Sequence, residues 1–383
     1  MSSFSFYTVP EIVVGAGFAH DLAPFCAKVG MRRPLLITDR GLMDLGMITP
    51  VVNALVAQGY EVTTFDGVTA DPSEAVVSAG LNSYRVGRCD GLIAVGGGSS
   101  MDVAKVVAVL AAGQQALAQM YGVDQVEGSR RPLILVPTTA GTGSEVTPVA
   151  VITTGETTKA GVSSRVLLPD VAVLDAALTL RLPPAATAMT GIDAMVHAVE
   201  AYTSRLKKNP ISDMVALRAL RLLSHNIRRV FDAPDDVAAR EAMLLGSMFA
   251  GQAFANAPVA AVHALAYPLG GHFHLPHGLS NSLMLPAVLG FNTAACAQLY
   301  AELARELPGE VQPSAEGLIT WFEDLIRDSG LPTTLEQAGI GEESLAMLAR
   351  DAMQQQRLLV NNPVPVDEAA ATALYQHAWA GTR

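Results

Sequence analysis

Up to about residue 180, short apolar runs rich in Val, Ile and Leu alternate with segments whose apolar residues recur every three to four positions. PLLIT (34–38), YEVTTF (60–65) and GLIAV (91–95) predict strands, with helices near 42–58 and 73–86 between them. PLILV (132–136), VTPVAVI (146–152) and VAVLD (171–175) continue the β pattern. Such alternation predicts βαβ units, and strands that are apolar almost throughout predict a parallel sheet covered on both faces. Beyond Leu182-Pro183-Pro184 the period changes: segments near 184–203, 211–230, 235–255 and 294–306 read as helices, and β-branched runs nearly vanish. The pattern therefore predicts an α/β domain over 1–182 and an all-α domain over 183–383. The active site is expected in the cleft between them.

Composition narrows the function classes. At 383 residues, half of them hydrophobic, the chain is long enough to bury two cores. Lys and Arg number 25 against 36 Asp and Glu, a formal charge of −11, so a basic footprint for nucleic acid is not expected. Cys26, Cys89 and Cys296 fall at unrelated spacings in a chain that needs no stapling, which suits free thiols in a reducing compartment. The start, MSSFSFYTVPEIVVG, lacks the flanks of a secretion signal, and the most apolar stretch, Gly91 to Gly113, carries Asp102 and Lys105. A soluble cytoplasmic protein without a membrane partner is the expectation.

Candidate chemistry begins where strands end. GLIAV runs into Gly96-Gly97-Gly98-Ser99-Ser100 and then a helical segment, a turn whose bare backbone and helix N-terminus suit a phosphate. A tight βα turn that binds nothing has the same spacing. Gly15-Ala16-Gly17 after EIVV looks more like a dinucleotide fingerprint, but His20 stands where its third small residue belongs, and a structural turn is expected there. A second polar cluster, Pro137 to Glu145, follows PLILV and offers Thr138, Thr139 and Thr142; Thr/Ser/Gly runs are also ordinary loop material. Asp39, closing PLLIT, suits ribose hydroxyls and would repel a 2′-phosphate, and it equally suits a helix N-cap.

The second half supplies a different set. Asp193 and His197 stand four apart in a helical stretch and so share a face: half of a zinc or ferrous site, or an ordinary helix-face hydrogen bond. His263, His272, His274 and His277 place half of the chain's eight histidines within fifteen residues. His263 is expected on a helix ended by Pro268, and His277 beyond a glycine-rich turn, an arrangement able to join two imidazoles across a loop.

GGGSSMD (96–102), PTTAGTGSEVT (137–147), LLPDVAVLD (167–175), TGIDAMVHAVEAYTS (190–204), VHALAYPLG (262–270), PHG (276–278) and NNPVPV (361–366) stand together in one order and spacing. In these the chain resembles the iron-containing (group III) alcohol dehydrogenase family, over essentially its whole length. The resemblance implies a Rossmann-like dinucleotide-binding first domain and a helical metal- and substrate-binding second one. It implies Asp193, His197, His263 and His277 as ligands of a divalent metal, iron(II) or else zinc. NAD is the implied cofactor, contacted by Gly97, Gly98, Ser99, Thr138, Thr139, Thr142 and Lys159, with Gly96 and Asp102 of the same glycine motif, and favoured by Asp39. His272 and His274 fall outside the implied ligand set and are expected to line or support the site. Pro258 and Ala260 stand where glycine is usual, Val364 where arginine is usual, and Tyr267 where a histidine is frequent; Tyr267 is the candidate proton-handling group.

The expected reaction is metal-assisted hydride transfer between a small alcohol and NAD, with aldehyde reduction as its reverse. Polyol or lactaldehyde-type oxidoreduction and maleylacetate reduction are the neighbouring readings; retention of all four ligand residues argues against the last. A dehydroquinate synthase-like lyase would need a basic pocket, and no Lys/Arg cluster lies near 250–280. A non-catalytic dinucleotide sensor would have no use for an open metal site. A homodimer is the expected assembly.

Overall fold

The computed structural model describes residues 3–155 and 158–381. The chain folds as two compact units, one of Tyr7–Arg181 and one from Leu182 onward that also takes in the segment before Tyr7.

In the first unit the elements run β1 (Glu11–Val14), α1 (Ala23–Lys28), β2 (Pro34–Asp39), α2 (Arg40–Asp44), α3 (Ile48–Ala57), β3 (Thr63–Val68), α4 (Glu74–Val86), β4 (Gly91–Gly96) and α5 (Gly98–Leu110). They continue with β5 (Gly122–Val123), β6 (Leu133–Pro137), β7 (Val149–Thr154), β8 (Thr158–Ser163) and β9 (Val171–Leu174). Six strands form a sheet in the order β1-β9-β6-β4-β2-β3, every neighbouring pair parallel. Leu35, Ile37, Leu92 and Leu135 belong to one core cluster, and Leu36, Ile93, Val95 and Ile134 to a second. Successive strand residues serve opposite faces, which is why these strands read as continuous apolar runs.

Two expectations need correction here. VTPVAVI is not in the parallel sheet: β7 pairs antiparallel with β8, and β5 joins β8 to make a separate three-stranded sheet. Lys159 lies on β8, and its Nζ reaches Asp71 Oδ1 at 2.6 Å. The helix expected over 42–58 is two, α2 and α3, because Gly46 adopts a φ of 70° that breaks the run.

The second unit contains α6 (Pro184–Thr203), α7 (Pro210–Asp232), α8 (Val237–Asn256), α9 (Ala261–Phe273), α10 (His277–Ala304), α11 (Ala315–Asp328), α12 (Leu345–Ala352), α13 (Gln356–Leu359) and α14 (Glu368–Ala380). Proline at the first position opens α6 and α7, and Asn209 caps α7 by accepting from Ile211 N and Ser212 N at 3.1 and 3.0 Å. The helix carrying His263 does not end at Pro268. It runs on through Gly270 and Gly271 to Phe273, so the glycine-rich turn expected before His277 is helix. Segment 294–306 is the tail of the 28-residue α10 rather than a helix of its own.

By length and composition α10 is also the one described helix apolar enough to cross a membrane. It packs against α6, α9, α11 and α14, as a core helix does.

Candidate active site

The first unit brings its candidate residues to neighbouring strand ends. β2, β4 and β6 are adjacent, so Asp39, the turn after Gly96 and the loop after Pro137 all leave the C-terminal edge of the sheet, where ligands of parallel sheets bind. Gly96 pairs with Pro137 in register, and Thr138 N donates to Gly96 O at 3.0 Å. α5 starts at Gly98 with Gly97 as its cap residue, which turns the first amides of the helix toward the same edge. A Cβ on Gly98 would stand 2.8 Å from Thr142 Cγ2, so the glycine turn and the threonine loop touch only because residue 98 has no side chain.

Several polar groups here are already engaged. Asp39 caps α2, accepting from Leu42 N at 3.0 Å, so the N-cap half of its dual reading is realised. Asp102 accepts from Ser144 Oγ at 2.6 Å and from Val151 N at 2.9 Å. Sequence reading missed the group beneath them, Lys105. It is fully buried, donating to Ser144 Oγ and Val149 O at 2.7 Å and to Thr147 Oγ1 at 3.2 Å. Burial pulls its ammonium down to about 8 and pushes the neighbouring Glu145 carboxyl up to about 7. A lysine inside an apolar helix was the available signal, and its partners lie some forty residues on. The turn at Gly15-Ala16-Gly17 is structural: Gly17 N and Ala19 N both donate to Asp175 Oδ2.

The second unit assembles its site from three helices. α6 presents Asp193 and His197 one turn apart, α9 presents His263, and His277 is the first residue of α10. Gly278 permits that approach, since a Cβ there would lie 2.3 Å from Met189 O on α6. One ligand atom from each of the four residues falls within 4.8 Å of the others. Asp193 Oδ1 is 3.8 Å from His263 Nε2 and 3.6 Å from His277 Nε2, and Asp193 Oδ2 is 4.0 Å from His197 Nδ1. Those separations approach the ~3.4 Å edge of a tetrahedron with ~2.1 Å metal–ligand bonds. Carboxylate and imidazole are the donor types zinc and ferrous iron take, so the residues fit a divalent cation.

Burial is uneven. The side chains of Asp193, His197 and His263 are 3–5% exposed against 33% for His277, so the cluster opens on the His277 side. Burial pushes the Asp193 carboxyl up, but His197, His277, His263 and the Asn281 amide outweigh it and hold the group below the ordinary carboxylate value. His197 stacks between Phe254 and His263, with ring centroids 4.4 and 4.7 Å away.

Two residues of this neighbourhood escaped sequence reading. Glu200, two turns along α6 from Asp193, accepts Val262 N at 2.7 Å and lies 2.6 Å from His263 Nδ1, leaving Nε2 to face the cluster. Asn281, one turn along α10 from His277, donates to Asp193 Oδ1 at 2.6 Å. Helical spacing from Asp193 and His277 was the only signal for either. His272 pairs with Asp351, and His274 caps α9 in the left-handed region at φ 54°, which accounts for both histidines outside the four. The Tyr267 ring lies 6.0 Å from that of His277, the most exposed of the four.

Residues 10–176 match the iron-containing alcohol dehydrogenase family, and residues 187–379 match the C-terminal domain of the Fe-containing alcohol dehydrogenase family. Long-chain-alcohol dehydrogenase 1 of Geobacillus thermodenitrificans is 42% identical over 378 residues, covering 96% of this chain and 95% of its own length. The chain belongs to the iron-containing alcohol dehydrogenase family. As a member it is an oxidoreductase acting on alcohols. Among solved structures of the family, a 1,3-propanediol oxidoreductase superposes with a TM-score of 0.95 at 34% identity, over 99% of this chain and 100% of its own. A sulfoacetaldehyde reductase from Bifidobacterium kashiwanohense, solved with NAD+, superposes at 0.89 with 29% identity over 99% of each chain.

Proposed function

We propose that the protein is an NAD-dependent, metal-dependent alcohol dehydrogenase and aldehyde reductase acting on small substrates. The observation that carries this reading is the convergence of one carboxylate and three imidazoles, most of them buried, in a member of this family. Asp193, His197, His263 and His277 would hold the cation, iron(II) on the family's name and zinc on donor chemistry. When bound, a divalent cation beside one carboxylate and three neutral imidazoles keeps the positive charge that polarises an alcohol or aldehyde oxygen.

The chain's own residues do the rest. Glu200 fixes which His263 nitrogen faces inward, and burial keeps water from every side of the cluster but that of His277. Tyr267 offers a hydroxyl on the open side for the alcohol proton. Gly96, Gly97, Gly98, Ser99, Thr138, Thr139 and Thr142 cradle the dinucleotide at the strand ends, and Asp39 selects NAD. Asp102 and Lys159 join them as cofactor contacts, each also engaged within the unit, by Ser144 and Asp71 respectively. The NAD+ complex of the sulfoacetaldehyde reductase supports the cofactor. A bound nicotinamide would supply the hydride acceptor for oxidation, with the hydroxyl proton passing by way of the Tyr267 hydroxyl to solvent, and reduction would reverse both.

With this reading go a homodimer and a cytoplasmic setting, the latter supported by three free, buried cysteines. Light scattering on the purified protein tests the assembly. The activity is tested by anaerobic removal of metal, restoration with iron(II) or zinc, and a panel of alcohols with NAD and aldehydes with NADH. Absence of hydride transfer with every substrate after restoration overturns it.

A further inference from the structure

Asn281 stands closer to the donor cluster than any role so far given to it requires. Its Nδ2 is 2.6 Å from Asp193 Oδ1 and 3.2 Å from both His263 Nε2 and His277 Nε2, three of the four converging atoms. The residue is fully buried, and its Oδ1 has no hydrogen-bond partner. The orientation follows from chemistry. An ionised carboxylate only accepts, and His263, whose Nδ1 faces the Glu200 carboxylate, turns a lone pair inward at Nε2, so the amide nitrogen must point at the cluster. An unpartnered buried oxygen is costly, and it is tolerated here because turning the amide would set oxygen against oxygen.

Resting on the metal reading above, we infer that Asn281 is a positioning residue. Its amide fixes the Asp193 carboxylate beside the His263 and His277 nitrogens, setting the affinity of the site for a divalent cation without ligating it. Partners of this kind change metal affinity by about 10–100-fold when removed.

Asn281→Leu keeps the volume and deletes the donor, and Asn281→Ser is the smaller change with a hydroxyl retained. Zinc affinity is measured by competition with a chromogenic chelator, alongside NADH binding and the melting temperature after chelation. The leucine variant should bind zinc about 10–100-fold more weakly, the serine variant in between, with NADH binding unchanged. Zinc affinity equal to wild type in either folded variant overturns the role of Asn281. So does a loss matched by an equal loss of NADH binding, which would mark general damage. A wild type that binds no divalent metal would instead overturn the metal reading itself.

Discussion

The two candidate regions are built on opposite plans. In the helical unit, four side chains from three helices converge and leave donor atoms facing one another: Asp193, His197 and His263 buried, His277 partly open. In the α/β unit, the side chains one would assign to a ligand are mostly occupied. Asp39 caps a helix, Asp102 and Ser144 bond each other over Lys105, and Lys159 bonds Asp71. What those loops leave for a dinucleotide is backbone and the hydroxyls of Ser99, Thr138 and Thr139, held in place by the polar groups behind them. One region offers converging side chains, the other a shaped main chain with a few hydroxyls. Single substitutions should therefore be severe in the first and graded in the second.

The largest effect should come from His277, the donor on the open side. His277→Ala, or chelation of the wild type, should lower turnover by about three orders of magnitude or more, the scale on which loss of a preorganised electrophile acts. NADH binding, followed by its fluorescence, should persist, because no residue of the first unit is altered. A metal-free enzyme that oxidises alcohols at the wild-type rate would end the comparison, since the convergent cluster would then be structural.

How legible each plan was in the sequence follows from its physics. Asp193 and His197 were visible because helical periodicity puts residues four apart on one face, and the crowding of histidines over 263–277 marked the other half. Glu200 and Asn281 were not, because their partners lie 63 and 88 residues away and no local pattern encodes those pairs. Pro268 misled for a related reason. A proline inside a helix costs ~3 kcal/mol locally, but nearly every residue of α9 from Ala261 to Gly271 is buried, and that packing offsets the cost. Likewise VTPVAVI reads as a strand without declaring the direction of its partner, so the β7–β8 hairpin could not be told from another parallel strand. The strand ends bearing the glycine and threonine loops were legible, since a βα turn has a short-range signature. The buried Lys105 network beneath them was not.

Tyr267 tests whether the open side of the cluster is chemical or merely shaped. Tyr267→Phe removes the hydroxyl and keeps the ring 6.0 Å from His277. Turnover should fall by about 100-fold with an altered pH profile, the low end of what a proton-handling group supplies. An unchanged rate and profile would assign the ring to packing. Asp39 makes the graded case for the other region. Its charge should favour NAD over NADP by roughly 1–3 kcal/mol, and Asp39→Asn, which can keep the cap on Leu42 N, should narrow the ratio of kcat/KM for the two cofactors. A ratio that does not move would leave Asp39 as a helix cap alone.

The smallest expected effect is the most specific to the supported-backbone plan. Glu145 sits in the threonine loop at 1% exposure, its Oε1 without a hydrogen-bond partner, and burial raises its carboxyl from an ordinary 4.5 to about 7. A carboxyl whose folded value is raised binds its proton more tightly in the folded chain. The stability it contributes is therefore full below about 4.5 and lost as pH rises through about 7. Lys105, depressed to about 8, runs the other way: its contribution is full above its ordinary 10.5 and lost as pH falls through 8. Between pH 5 and 7, Glu145 therefore changes charge while Lys105 stays largely protonated. Glu145→Gln cannot ionise, so melting temperatures of wild type and variant should diverge by a few degrees over that range, the wild type losing ground as pH rises. Ionisable groups far from Glu145 titrate equally in both proteins and cancel in the difference. Parallel curves would mean that Glu145 is charged throughout, and that the loop is held by a buried ion pair with Lys105 rather than by a neutral acid packed beneath it.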